Sequence, residues 1–238
     1  MSAVAAEKTL AVQCRGLTKT YRVGSMQVPA LRGVDLDVHN HELLMLVGPS
    51  GCGKTTLISV IAGVLDRDGG TCEVFGTDIQ KLRGGKRSRF RGNTIGFVFQ
   101  AFNLIPVLTA AENVSVPLLL QGESRSVAMR KSKELLERVG LSDKINAKPT
   151  QLSGGQQQRV AIARSLIHDP RLIVCDEPTS ALDGDTGHRV MELLREVALQ
   201  QDRALIIVTH DSRVFSFADR IVRMEDGHIV SNSHSSDH

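Results

Sequence analysis

Leu43–Val47 is an unbroken apolar run that leads straight into Gly48-Pro49-Ser50-Gly51-Cys52-Gly53-Lys54-Thr55, and helical spacing follows from Thr55 to Leu65. Apolar residues without alternation predict a strand covered on both faces, as in a parallel sheet. The eight residues after it fit G-x-x-x-x-G-K-[ST] in the strand–loop–helix context that gives this pattern meaning. Each residue type has a physical job there. The glycines let the backbone curl so that successive N–H groups face phosphate oxygens, and the helix opening near Lys54 aims its positive end at the same point. The sequence therefore predicts a cradle over Gly48–Thr56, with Lys54 reaching the β and γ phosphates and the Thr55 hydroxyl ligating Mg²⁺.

The rest of the chain is compatible with one large α/β unit. Its 238 residues are 41% hydrophobic and 23% charged, enough to bury a core and too balanced for disorder. The 29 Lys and Arg exceed the 26 Asp and Glu by 29 − 26 = 3, so bulk charge makes no case for nucleic acid or a membrane surface. Cys14, Cys52, Cys72 and Cys175 form no C-x-x-C pair, which suits a reducing cytosolic compartment. Met1–Ala6 does not read as a signal peptide. The uncharged stretch Gly92–Ala111 is interrupted by Asn93, Gln100, Asn103 and Pro106 and does not read as a membrane span.

Leu10–Val38 alternates in short runs with turn signals at Arg15-Gly16 and Val23-Gly24, predicting an antiparallel β layer. Residues 71–79 read as a strand, and Lys81–Arg91 as a basic run without acids. Thr109–Val139 reads as helical with a break at Pro117 and a loop at Gln121-Gly122. Helices over Ser153–His168 and Thr186–Gln200 alternate with apolar strands Leu172–Cys175 and Ala204–Thr209, which implies a parallel sheet. A last hairpin arm, Met224–Ser231, turns at Asp226-Gly227. The polar tail at 232–238, with His234 and His238, is expected to be disordered.

Two further segments complete a phosphate chemistry. The strand Leu172–Cys175 ends in Asp176, placed to hold the metal, usually through water, and in Glu177, placed to orient and polarise an attacking water. Leu152-Ser153-Gly154-Gly155-Gln156 forms a capping box from Ser153 to Gln156, and its two glycines leave the first-turn donors uncovered. That is a second anion-binding helix start. One chain with one nucleotide has no evident use for it, whereas a twofold dimer does, if each chain's glycine-rich helix covers the other's γ-phosphate.

In the order of these motifs the chain resembles the ATP-binding subunits of ABC transporters, from about Leu10 to Ser231. The resemblance implies a P-loop core with a mixed, mostly parallel sheet (about 1–99 and 151–231, carrying an N-terminal antiparallel β subdomain) and an inserted α-helical subdomain at 100–150. It implies that Tyr21 stacks on adenine and that Gln100 senses Mg²⁺ and the water. It further implies that His210 contacts γ-phosphate and that Ser180-Ala181-Leu182-Asp183 runs between two protomers. Around Tyr21–Gly33 and Ala101–Gly122 it is most similar to lipoprotein-release and macrolide-export ATPases. Asn40-His41, in place of the usual glycine, and the proline-free turn Arg67-Asp68-Gly69-Gly70 depart from the pattern.

The expected protein is thus a cytosolic ATPase that dimerises around two ATP·Mg²⁺ and sits on the cytoplasmic membrane face through a permease. Phe97, Phe99, Phe102, Leu104 and Ile105 mark the docking patch. A nucleic-acid-associated ATPase is the alternative, carried by Lys81, Arg83, Lys86, Arg87, Arg89 and Arg91; no nucleic acid is expected.

Overall fold

The computed structural model describes residues 9–180, 182–199 and 203–234. The readings above of Met1–Ala6, Ala181, Gln200 and residues 235–238 concern positions outside these. Two sheets carry the architecture. In the first, β1 (Leu10–Val23) pairs antiparallel with β2 (Met26–His39) and with β4 (Gly69–Val74), in the order β2-β1-β4. The second has the order β5-β6-β7-β3-β8-β9. It is built from β3 (Leu43–Val47), β5 (Ile95–Val98), β6 (Leu172–Asp176), β7 (Ala204–Val208), β8 (Arg220–Glu225) and β9 (His228–His234). Its pairings are parallel except β8 with β9. The fold class expected from the sequence is the one observed.

The unalternated strands β3, β6 and β7 are buried along their whole length, because helices and the antiparallel sheet cover both faces. On one face α1 (Lys54–Ile61) packs with the antiparallel sheet through Leu57, Ile61, Val12 and Leu36. On the other, α5 (Gly154–Leu166) and α6 (Gly184–Leu199) pack through Ile162, Val190 and Leu194. A third core joins α3 (Ala110–Leu120) and α4 (Arg125–Arg138) to α5 through Val114, Leu136 and Val160.

Several local expectations change. Arg15-Gly16 is no turn: β1 runs through it, and its pairing with β2 shifts register between Cys14 and Leu17. The helix after the cradle ends at Ile61, short of Leu65. Pro117 does not break α3, which continues to Leu120, because the Thr109–Glu112 capping box and burial of Val114 and Leu118 hold the segment. The basic run leads into α2 (Gly85–Thr94), which continues three residues past it. β9 extends to His234, so residues 232–234 are strand and not tail. At the turn before β3, His41 has φ 59, a left-handed backbone that explains why glycine is usual there. Glu42 then forms a buried ion pair with Arg220, whose Nε donates at 2.5 Å. All four cysteines are free and buried.

Candidate active site

Because β3, β5, β6 and β7 are parallel, their C-terminal ends lie along one edge of the sheet, the usual place for a ligand in such folds. Each end delivers one piece of the site: Gly48 after β3, Gln100 after β5, Asp176 and Glu177 at β6, and His210 after β7.

The cradle is shaped by more than phosphate. Gly48, Gly51 and Gly53 all have positive φ, at 147, 80 and 106. A Cβ on Gly48 would lie 2.1 Å from the Met224 carbonyl oxygen, and one on Gly53 would lie 2.3 Å from that of Ala30. Neighbouring backbone thus excludes side chains at both positions. Lys54, the residue expected to reach the phosphates, is only 7% exposed. Its Nζ donates to the carbonyls of Gly48 and Pro49 at 2.8 and 2.7 Å, and to Cys52 Sγ at 3.6 Å. The ammonium is therefore held over the loop by the loop's own oxygens. Tyr21, 39% exposed, brings its hydroxyl to 3.3 Å from Thr56 Oγ1, which places the aromatic ring of β1 beside the cradle.

Thr55 Oγ1 donates to Asp176 Oδ1 at 3.2 Å across 121 residues of sequence. Burial pushes the Asp176 carboxyl up, the Thr55 hydroxyl pulls it down, and the charge of Glu177 adds to the upward push. Two hard oxygen donors side by side suit Mg²⁺. Among the described residues no group of three or more His, Cys, Asp and Glu could hold a metal alone. Glu177 adopts a left-handed backbone, φ 49, fixed by its N–H donating to the Val208 carbonyl at 2.9 Å. Gln100 Nε2 donates to Glu177 Oε2 at 3.0 Å, and His210 Nδ1 lies 2.9 Å from Glu177 Oε1. The structure thus brings Gln100, Glu177 and His210 into one hydrogen-bonded cluster.

Ser153–Gln156 stands apart. No hydrogen bond among the described residues joins it to the cradle, and its side chains serve its own helix start. Ser153 Oγ accepts from the Gln156 N–H at 3.3 Å, and Gln156 Oε1 accepts from the Ser153 N–H at 2.9 Å. Gly155 has a packing reason as well, since a Cβ there would lie 2.7 Å from Thr186 Cγ2 on α6. Asp183 spends both oxygens on Thr186, accepting from its N–H at 2.9 Å and its hydroxyl at 2.8 Å, and so caps α6. Ser180 Oγ donates to the Glu177 carbonyl at 3.1 Å, which ties this turn to the β6 end.

The expected apolar patch divides. Phe97 and Phe99, with ring centroids 4.4 Å apart, line an open cavity of 870 Å³ together with Val64, Pro117, Leu120 and Arg89. Phe102 and Leu104 are half-buried, and Leu104 packs against the α3–α4–α5 core. Ile105 and the overlooked Val107 are exposed. Leu120, 83% exposed, was also missed, because nothing in an apolar helix end says which residue faces out. Arg164 left no sequence signal either, because its partners are the backbone carbonyls of Phe102 and Asn103.

A glycine cradle closing on the lysine of the next helix, with a carboxylate from a strand one place removed in the same sheet, defines a P-loop nucleotide-binding domain. Residues 31–180 match the ABC transporter family, and the chain belongs to that family. It is 46% identical over 210 residues to an uncharacterized ABC transporter ATP-binding protein of Mycobacterium tuberculosis, covering 88% of this chain and 63% of that protein. It therefore spans less than two thirds of that relative's length. It is 44% identical over 216 residues to the lipoprotein-releasing system ATP-binding protein LolD 2 of Caulobacter vibrioides, covering 90% and 94% of the two chains. Among solved structures, a dimeric post-hydrolysis ATP-binding cassette bound to ADP and Pi superposes with TM-score 0.88 at 38% identity, covering 94% of this chain and 98% of that one.

Proposed function

We propose that this chain is the ATP-hydrolysing subunit of an ABC transporter of the lipoprotein-release or macrolide-export type, working as an ATP-dependent homodimer on the cytoplasmic face of a membrane permease. The observation that carries the reading is the Glu177 carboxylate, held between Gln100 and His210 and next to the Thr55–Asp176 pair.

Water attacks the γ-phosphorus in line with the bond to the β,γ-bridging oxygen; that bond breaks, and ADP leaves carrying the oxygen. Glu177 accepts a hydrogen bond from the water and draws its proton as the new P–O bond forms. Gln100 fixes one Glu177 oxygen and takes part in placing the water, while His210 fixes the other and faces the γ-phosphate. Lys54 leaves its loop carbonyls for the β and γ phosphate oxygens, where the first amides of α1 also point. Bound Mg²⁺, held by Thr55 and Asp176, would neutralise developing phosphate charge. Tyr21 offers a face on which adenine can stack. Ser153–Gln156 of the second chain closes the γ-phosphate from the far side, and Ser180–Asp183 runs along that interface.

The partner reading rests on the 870 Å³ cavity, where Phe97, Phe99, Pro117 and Leu120 beside Arg89 and Arg91 offer a mixed wall that suits a segment of a permease. Among the described residues no helix is long and apolar enough to cross a membrane. The nucleic-acid alternative is weakened because Arg87 pairs with Asp66 at 2.6 Å and Lys81 with Asp78 at 3.3 Å, which takes two cations from the basic run. The test is phosphate release from ATP by the full chain, together with copurification of a membrane protein. A chain that neither hydrolyses ATP nor retains a permease would refute the proposal.

A further inference from the structure

Between Val98, the last residue of β5, and Ala110, the first of α3, the chain has neither strand nor helix, yet it carries Gln100 at its start. Two side chains from outside shape it. Asn113, fully buried, donates to the carbonyls of Ile105, Leu108 and Thr109 at 3.1, 3.1 and 3.0 Å and accepts from the Ile105 N–H at 2.7 Å. Arg164 of α5 donates from Nη1 to the Asn103 carbonyl at 2.6 Å and from Nη2 to the Phe102 carbonyl at 2.9 Å. Asn103 itself has the left-handed φ of 48, so the two carbonyls are presented to one guanidinium by a bend in the backbone.

Among the described residues Arg164 has no carboxylate partner. Both of its hydrogen bonds are to carbonyls, and burial pulls its guanidinium down with no charged group opposing it. Placing a half-buried cation against carbonyl dipoles alone is costly, and stability gives no reason to prefer it to an apolar side chain. What the guanidinium supplies is geometry, two fixed N–H vectors that a lysine cannot reproduce.

We propose that Arg164 is a positioning residue: by tying the Phe102–Asn103 backbone to α5, it sets Gln100 against Glu177. The inference rests on the ATPase reading above and goes beyond it. Ser153 caps the start of α5, so the clamp joins the helix start offered to the partner's γ-phosphate to the loop that places this chain's own Gln100. A shift of α5 when the partner's nucleotide changes would then be felt at Glu177 through Arg164.

The test is steady-state ATP hydrolysis by the full chain. Arg164→Met should lower kcat about tenfold or more with KM for ATP held within about twofold, because the cradle is untouched. Arg164→Lys, which keeps the charge and one donor, should fall between Arg164→Met and wild type. Adding Arg164→Met to Gln100→Ala should cost less than about a further twofold, since both act on one contact. Amide exchange at residues 101–108 should speed up in Arg164→Met whether or not ATP is present. Should Arg164→Met not fold, Arg164→Gln is scored by the same split. Wild-type chain that releases no phosphate from ATP overturns the ATPase reading and this inference with it. Wild-type turnover with a variant that raises KM in step with its loss of kcat, adds fully to Gln100→Ala, or leaves exchange unchanged overturns the inference alone.

Discussion

The two helix starts proposed to face phosphate, at Lys54 and at Ser153, are built in opposite ways. The first depends on the whole fold: its glycines are pressed by the Met224 and Ala30 carbonyls, its threonine meets Asp176 from 121 residues away, and its lysine is folded back onto the loop. The second depends on four consecutive residues, with Ser153 and Gln156 bonding each other's N–H groups. One site is made by tertiary contact and is nearly complete within the chain. The other is self-sufficient as a helix cap. A protein that must bind nucleotide alone, and then recruit a second copy only when γ-phosphate is present, needs this asymmetry.

Substitutions can break that contrast or sharpen it. The largest effect belongs to Glu177→Gln, which should lower hydrolysis by about 10²–10⁴-fold while ATP binding survives; a rate near wild type, read as released phosphate, would remove Glu177 from the chemistry. Lys54→Ala should abolish ATP binding and, because the Gly48 and Pro49 carbonyls lose their donor, also lower stability by roughly 1–3 kcal/mol. A chemical denaturation curve identical to wild type would show that the loop contacts are idle. Glu177→Gln with Mg-ATP should elute from gel filtration as a dimer that disperses with ADP. A further Ser153→Arg should prevent dimerisation by setting bulk and charge at the helix start, whereas dimers that persist would return Ser153–Gln156 to a plain cap. Ser153→Ala alone should cost only about 0.5–2 kcal/mol, the ordinary cost of a lost cap. The smallest effect is Leu120→Ser, expected to stay within about 0.5 kcal/mol of wild-type stability with ATP hydrolysis unaltered, yet to weaken permease retention; coupled loss of folding and retention would make that cavity wall part of the core.

The contrast also governs what could be read from the sequence. The cradle, the Asp176-Glu177 strand end and the Ser153 cap are written in contiguous residues, and their local geometry appears in the structure as the residue types require. What escaped depends on residues far apart. Pro117 is carried by a helix whose capping and burial outweigh the lost N–H, Arg15-Gly16 is absorbed by a register shift against β2, and Lys54 turns inward because its loop supplies acceptors. The cavity gathers α2, β5 and the end of α3, so an uncharged stretch could point to only part of it. Arg164 could not be found at all, since its partners are carbonyls in a segment without periodicity.

The strand order β5-β6-β7-β3-β8-β9 has a consequence for synthesis. β3 neighbours only β7 and β8, whose residues start at Ala204 and Arg220. The strand that carries the cradle therefore leaves the ribosome without either of its sheet partners and must wait for most of the chain to follow. Until then an apolar ribbon with open edges is exposed, the kind of segment that aggregates or engages chaperones. Such long-range parallel pairing folds slowly. A nascent chain halted before residue 204 would hold every residue of Gly48–Thr56 and still have no ordered cradle, so nucleotide binding should arise late, in one step with closure of the sheet.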